Sequence, residues 1–231
     1  MKNSIKNHKK KDCLSIIVLI LNSTMLLITL ILLFCNKYGV IQLPSNIYMQ
    51  CLNIFLWAIG IIAILFCKQF IPSYFILLYS IFLFFSHFLG SVLGFYALEF
   101  CYINLWWDKF LHTSFGYLVC YIAVYVLCRI SKIFTLSTIL VLFFIIGFSA
   151  LSAVVWEIIE FASDCIFHTS AQGQHVLLPS GKYIIPVQDT MLDIILHICG
   201  TLIFVLQYIL HSITKKSLII GNLIIYFSKD K

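Results

Sequence analysis

Six long apolar stretches dominate this sequence and constrain its fold more than any other feature. Each is about as long as the roughly 20 apolar residues that an α-helix needs to cross a bilayer. Of the 231 residues, 62% are hydrophobic and only 10% are charged, whereas soluble domains are about 25% charged. The sequence therefore predicts an all-α, polytopic membrane helical bundle with about six transmembrane helices. The predicted spans are residues 14–35, 47–67, 71–95, 107–128, 135–158 and 189–211.

The basic residues indicate how the chain is oriented. The formal net charge is +6, and five lysines lie within the first eleven residues. With the N-terminus inside and six spans, twelve of the fifteen basic residues face the cytoplasm, and only Lys37, Lys109 and Lys182 lie outside. By the positive-inside rule we predict a multi-pass protein of the cell (inner, cytoplasmic) membrane with both termini cytoplasmic. The same distribution favours lipid head groups, and not nucleic acid, as partners.

The domain organisation is predicted to be simple. No internal repeat is evident, so we expect a single integral membrane domain over residues 1–231. The one long connection, residues 161–188, contains VLLPSGKYII, where two short β-prone runs flank a turn and suggest an external hairpin. The nine cysteines form no CxxC pair and resemble small hydrophobic residues. A disulfide between Cys101 and Cys165, both outside the predicted membrane spans, is left open, as is the oligomeric state.

Acidic and histidine side chains gather at the predicted outer ends of three spans. Within each span they are three or four residues apart, so one face of a helix carries them together. They do not occur in this density at the predicted cytoplasmic ends, where the charges are basic. In chain order they are Asp108 and His112 in span four, Glu157 and Glu160 at the end of span five, and Asp189, Asp193 and His197 in span six.

The energetics of these residues predict a shared pocket that binds a cation. A charged side chain at the centre of a membrane helix costs about 2.5–3.5 kcal/mol on insertion scales. Neighbouring carboxylates also repel unless they share a proton or a cation. Because Asp, Glu and His are common ligands of divalent metals, we predict a site for an ion such as Zn, Mg or Mn. The predicted metal ligands are His112, Glu157, Glu160, Asp193 and His197. The predicted catalytic groups, which act as general base or orient a ligating histidine, are Asp108 and Asp189.

Taken one at a time, some of these residues have simpler explanations. Asp108 could pair with Lys109 at a helix start, and Asp189 could be an N-cap. Asp193 and His197 could hydrogen-bond to each other within the bundle. Two acids at a helix C-terminus oppose the macrodipole, so Glu157 and Glu160 have no comparable local explanation. The convergence of three helices on one face favours the shared site.

At these residues the chain resembles the YjdF-type bacterial inner-membrane proteins and, more loosely, the VanZ-like proteins. Three segments carry the resemblance, WWDKFLHTSFG, SALSAVVWEIIEF and DTMLDIILHICGTL, which fall in order across residues 106–202. The resemblance implies a membrane fold of about six helices in which the acids act as a unit. Through the VanZ-like proteins, which are associated with glycopeptide resistance, it points to the envelope outside the membrane. VanZ-like proteins usually have Asn near the position of His197, so no role is carried over for this residue.

Three functions remain open on the sequence alone. The first is an enzyme that acts on an envelope lipid or lipid-linked substrate, although no nucleophile elbow, HExxH motif or cluster of phosphate-binding basic residues is present. The second is a cation- or proton-coupled transporter. Against it, the segments YLVCYIAVYVLC and TLIFVLQYIL offer few polar groups toward the cytoplasm. The third is a non-catalytic envelope scaffold.

Overall fold

The computed structural model describes the backbone of most of the chain. The residues described are 2–45, 47–67, 69–95, 103–130, 136–167, 171–172, 176–177, 183–184 and 186–214. Over these residues the main elements are long α-helices. They are α1 (Lys2–Lys37), α2 (Ile47–Phe66), α3 (Ser73–Leu83), α4 (Ile103–Ile130), α5 (Thr138–Phe167) and α6 (Pro186–Thr214). Helix α3 continues directly into a π-helical segment, Phe84–Val92, which the apolar pattern of the sequence does not distinguish from an α-helix.

The prediction of an all-α polytopic membrane protein is confirmed. In the described part of the chain six helices are long and apolar enough to cross a membrane, with α3 and its π-helical continuation counted as one. They are Cys13–Lys37, Ile47–Phe66, Ser73–Val92, Trp106–Ile130, Thr138–Ile166 and Val187–Thr214.

Several helices begin or end a few residues away from the approximate limits predicted for the spans. The third span ends at Val92, and not at residue 95. Gly94, just beyond it, has a φ of 79°, a conformation that commonly ends a helix. Helix α5 continues well past residue 158 to Phe167, because polar residues ended the apolar run in the sequence but did not end the helix.

The predicted hairpin is confirmed between the last two helices. Strands β1 (Val176–Leu177) and β2 (Tyr183–Ile184) pair antiparallel, with Val176 opposite Ile184. That the hairpin lies outside the membrane stays a prediction. Of the two cysteines considered for a disulfide, Cys165 is an exposed free thiol, and Cys101 lies outside the described residues.

The chain divides into two compact units, Met1–Asp108 and Lys109–Lys231, and the prediction of a single domain over residues 1–231 stays a prediction. In the first unit, neutral polar side chains tie the helices together. Asn22 of α1 donates to Ser80 of α3 at 2.8 Å. Asn53 of α2 accepts hydrogen bonds from Thr29 at 3.1 Å and from Trp57 at 2.8 Å. Such bonds between helices are common where lipid offers no competing partner.

In the second unit, α4 and α6 approach each other at two glycines. A Cβ atom on Gly116 would collide with the backbone carbonyl of His197, and one on Gly200 with that of Thr113. Small residues allow this close packing of membrane helices. Since His112 lies one turn before Gly116 and Asp193 one turn before His197, the crossing brings the side chains of His112 and Asp193 to the same level.

Candidate functional site

The second unit brings residues of all three predicted clusters together. His112 comes from α4, Glu157 and Glu160 from the last part of α5, and Asp193 from the second turn of α6. These side chains are withdrawn from the surface: His112 and Glu157 are 6% exposed and Asp193 is 2% exposed. The three helices are each long enough to cross a membrane. Because these side chains are buried between the helices, their neighbours are polar groups and not lipid.

The imidazole of His112 lies at the centre of the cluster. Its Nδ1 atom is 3.8 Å from Glu157 Oε1. Its Nε2 atom is 4.0 Å from Glu160 Oε1 and 4.0 Å from Asp193 Oδ2. These three distances are too long for hydrogen bonds, so the carboxylates surround the ring without contacting its nitrogens directly.

The spacing of three of these residues suits a metal ion. One ligand atom each from His112, Glu157 and Glu160 lies within 4.8 Å of the other two. Tetrahedral ligands about 2.0–2.2 Å from zinc are about 3.4 Å from one another. Small side-chain movements would therefore close the group around an ion, and nitrogen and oxygen are the donors that Zn²⁺ accepts.

The balance of charge also favours a cation. A protonated His112 carries one positive charge, while Glu157 and Glu160 carry up to two negative charges between them; Asp193 is paired with Lys109 at 2.6 Å. Buried carboxylates require compensation, because a low dielectric strengthens their mutual repulsion. A divalent ion at His112 would balance more of this charge than a proton on the ring does.

Lys109 makes an ion pair that the sequence analysis missed. Its Nζ atom is 2.6 Å from Asp189 Oδ1 and 2.6 Å from Asp193 Oδ1, and thus joins α4 to α6. Asp193 therefore faces Lys109 with one oxygen and His112 with the other. The signal was present in the sequence, because Lys109 precedes His112 by three residues and shares its helix face.

The two predicted catalytic aspartates are placed differently. Asp189 lies in the first turn of α6, is 8% exposed and is held by Lys109. Asp108 is half-buried on α4, one turn before His112, and is the last residue of the first unit. Their roles in proton transfer stay predictions.

His197 lies one turn deeper along α6 than Asp193, a distance of about 6 Å. Its Nε2 atom is 2.9 Å from Ser149 Oγ, and its ring packs edge-on against Phe115 at 5.5 Å. Among the described residues that are spaced to hold an ion together, His197 is not included. Its role as a ligand stays a prediction, and we assign the ring a different role below.

Two further residues near the cluster were missed by sequence reasoning. Trp156 donates from its indole nitrogen to Glu160 Oε1 at 2.7 Å, an i, i+4 contact along α5. Gln172, in the connection between α5 and α6, donates to the Glu157 carbonyl and to Thr190 Oγ1, each at 3.3 Å. Asp164 holds this part of the connection by accepting from the backbone nitrogens of Ala171 and Gln172. Gln172 therefore links α5 to α6 next to the cluster.

A family model described as "Predicted membrane protein (DUF2238)" matches residues 18–213, which include all three segments that carry the sequence resemblance. The match makes the YjdF-type resemblance plausible, whereas the VanZ-like resemblance is not supported by it and stays a prediction. No curated protein and no solved structure matches the chain.

Proposed function

The chain belongs to the DUF2238 family of predicted membrane proteins, and from the site in its second unit we propose that it binds a divalent metal and acts on a lipid or lipid-linked substrate. The proposed ligands are His112, Glu157 and Glu160, and Asp193 completes the set from α6. The observation that carries the proposal is the position of the His112 ring among three carboxylates of two neighbouring helices, at 3.8–4.0 Å.

The two sides of the His112 ring support this assignment. Either nitrogen of an imidazole can bind a metal, and each ring nitrogen of His112 has a carboxylate beside it. Here Glu157 lies beside Nδ1, and Glu160 and Asp193 lie beside Nε2. Lys109 holds Asp193 by its other oxygen. Asp193 is thus held beside the ring by Lys109, and only small side-chain movements are needed for an ion to bind.

The chemistry that follows is that of a Lewis acid. A metal in such a site polarises a carbonyl or phosphoryl oxygen, or makes a bound water a better nucleophile at neutral pH. Asp108 and Asp189 are the groups proposed to transfer protons. Because Lys109 already contacts Asp189 and Asp193, it is poorly suited to bind a phosphate as well. This pairing favours a lipid ester or amide over a phosphate ester.

A lipid substrate fits the surroundings of the cluster. Ile158 and Ile159 on α5 are 59% and 54% exposed, and Ile195 on α6 is 51% exposed, so apolar surface flanks the buried acids. An acyl chain could remain in the bilayer against this surface while the head group reaches the cluster. By the basic-residue distribution we propose that the site opens on the extracytoplasmic side.

Metal content tests the proposal. The purified protein, loaded with Zn²⁺, Mg²⁺ or Mn²⁺ and dialysed, is expected to retain about one ion per chain by elemental mass spectrometry. His112→Asn, Glu157→Gln and Glu160→Gln are each expected to lose it. His211→Asn on α6 and Asp164→Asn on α5 remove a histidine and a carboxylate that lie outside the ligand set, and are expected to retain the ion.

The possible results separate an enzyme from a scaffold. If the wild-type protein retains none of these ions, the metal site is wrong. If the ion is retained, the loaded protein is incubated with vesicles that contain lipid esters and lipid-linked amides, and products are sought by mass spectrometry. A product that Glu157→Gln does not form supports an enzyme, and an ion without any product supports a scaffold stiffened by metal.

A further inference from the structure

Polar groups continue through the interior of the second unit, well beyond the proposed metal ligands. The residues involved recur along α6 and lie within an arc of about 120° of that helix. Four of them, at successive intervals of four residues, are 8%, 2%, 1% and 2% exposed. These four are Asp189, Asp193, His197 and Thr201, and the same face continues to Gln207 and His211.

The first section of this column lies just beyond the metal cluster. His197 Nε2 is 2.9 Å from Ser149 Oγ, and Ser149 Oγ is 2.7 Å from Thr201 Oγ1. The ring is 1% exposed, and its Nδ1 atom has no hydrogen-bond partner among the described residues. Because a buried ring nitrogen without a partner is costly, this atom is a natural position for an internal water.

The second section lies deeper along the same helices. Tyr117 of α4 donates to Gln207 Oε1 at 2.9 Å, and the hydroxyls of Tyr117 and Tyr121 are 2.8 Å apart. One turn beyond Gln207, His211 Nδ1 is buried and also has no hydrogen-bond partner in the described part of the chain. The sequence analysis found too few polar groups here for a pathway, but the fold joins three of them, Tyr117, Tyr121 and Gln207, by hydrogen bonds.

The apolar side chain of Phe204 lies between the two sections. Phe204 is 1% exposed and packs edge-on against the rings of Tyr117 and Tyr121, with centroid distances of 5.7 and 5.0 Å. It lies on α6 between Thr201 of the first section and Gln207 of the second. A buried aromatic ring at this position interrupts any chain of hydrogen bonds along the column.

We propose that the two sections of this column form a proton pathway closed by Phe204. The relay runs from His197 to His211, about 21 Å along α6, which is about two-thirds of a hydrocarbon core of about 30 Å. Asp189 and Asp193, which Lys109 holds, lie beyond one end of the relay and take no part in it. Imidazole, hydroxyl and water pass a proton by accepting one on one side as they release one on the other, so the column ends each transfer unchanged. Polar chains inside membrane proteins serve such relays, and apolar constrictions act as gates. The pathway does not depend on a bound metal.

Proton flux into vesicles tests the proposal. The full chain is reconstituted into vesicles of phosphatidylethanolamine and phosphatidylglycerol that contain a trapped pH-sensitive dye, and a potassium gradient with valinomycin drives protons inward. Wild-type protein is expected to give low flux. Phe204→Ala is expected to raise the flux by about tenfold, equivalent to a barrier lowered by about 1.4 kcal/mol. Phe143→Ala is the matched control, because this α5 side chain is 71% exposed on the surface of the unit.

A second pair of variants traces the route. Phe204→Ala combined with His197→Leu is expected to return to wild-type flux, while Phe204→Ala combined with Cys199→Leu, at an exposed position of α6, keeps the raised flux. If Phe204→Ala does not fold, Phe204→Leu replaces it in the same experiments, and a smaller increase in proton flux is expected. Equal flux through the Phe204 and Phe143 variants overturns the pathway. So does raised flux that persists without His197, because the protons then cross elsewhere.

Discussion

The two units of this protein bury polar side chains of different kinds. Among the described polar residues that are buried, those of the first unit are amides and hydroxyls, such as Asn22, Asn53 and Ser80. Those of the second unit include His112, Glu157, Asp189, Asp193 and His197. Neutral amides and hydroxyls commonly join neighbouring membrane helices through hydrogen bonds. An ionisable group costs more and is usually retained for a function. The difference is consistent with our proposal, in which the polar groups of the second unit serve chemistry and those of the first unit serve packing.

The largest expected effect tests whether the ionisable groups of the second unit depend on one another. Lys109→Met removes the ammonium that contacts Asp189 and Asp193 at 2.6 Å. Breaking a buried ion pair by removing one partner costs about 3–5 kcal/mol. We expect a loss of this order in the free energy of unfolding, measured in detergent. Lys37→Met, at an exposed end of α1, is the control and is expected to change little. Equal stability of the two variants would show that the ion pairs at Lys109 do not hold α4 to α6.

The next prediction concerns the close approach of α4 and α6 at Gly116 and Gly200, next to the cluster. Gly116→Ala places a methyl group against the backbone of His197, and overpacking of this kind costs about 1–3 kcal/mol. The variant is also expected to bind metal less tightly, because α4 and α6 move apart at the level of His112 and Asp193. Gly147→Ala on α5 has open space around it and is expected to be neutral or slightly stabilising. An unfolding midpoint for Gly116→Ala that matches the Gly147→Ala control would argue against close packing at this crossing.

The smallest expected effect is that of a substitution in the first unit, where the buried polar groups are neutral. Asn53→Ala leaves the hydroxyl of Thr29 and the indole N–H of Trp57 without their shared acceptor. Hydrogen bonds between membrane helices contribute about 0.6–1.7 kcal/mol, so a loss of stability of that order is expected. Metal content should remain that of the wild type. If Asn53→Ala removes the bound ion as well, the division between packing and chemistry is wrong.

The fold was largely accessible from the sequence because hydrophobic length determines it. Runs of apolar residues gave all six spans, and the turn in VLLPSGKYII gave the hairpin. The differences at the ends of the third and fifth spans came from structure that apolarity does not encode. Gly94 ends a helix by its backbone conformation, and α5 continues through polar residues as far as Phe167.

The candidate site was less accessible, because periodicity defines one face of a helix but not the neighbour that the face meets. The sequence grouped Glu157 with Glu160 and Asp189 with Asp193 correctly on their own helices. It did not show that Lys109 would turn toward α6, or that Ser149 would meet His197. Those contacts depend on the rotation of α4, α5 and α6 about their axes. The backbone contacts at Gly116 and Gly200 fix that rotation for α4 and α6.

X-ray absorption spectroscopy of the zinc-loaded protein tests the metal site most directly, because the chain's nine cysteines are the obvious competing ligands. The proposed site predicts a first shell of nitrogen and oxygen only, at about 2.0–2.2 Å, with the outer-shell scattering of an imidazole. That imidazole signal should disappear in His112→Asn. A sulfur shell at about 2.3 Å, or an unchanged spectrum in His112→Asn, would contradict the assignment of His112, Glu157 and Glu160 as ligands.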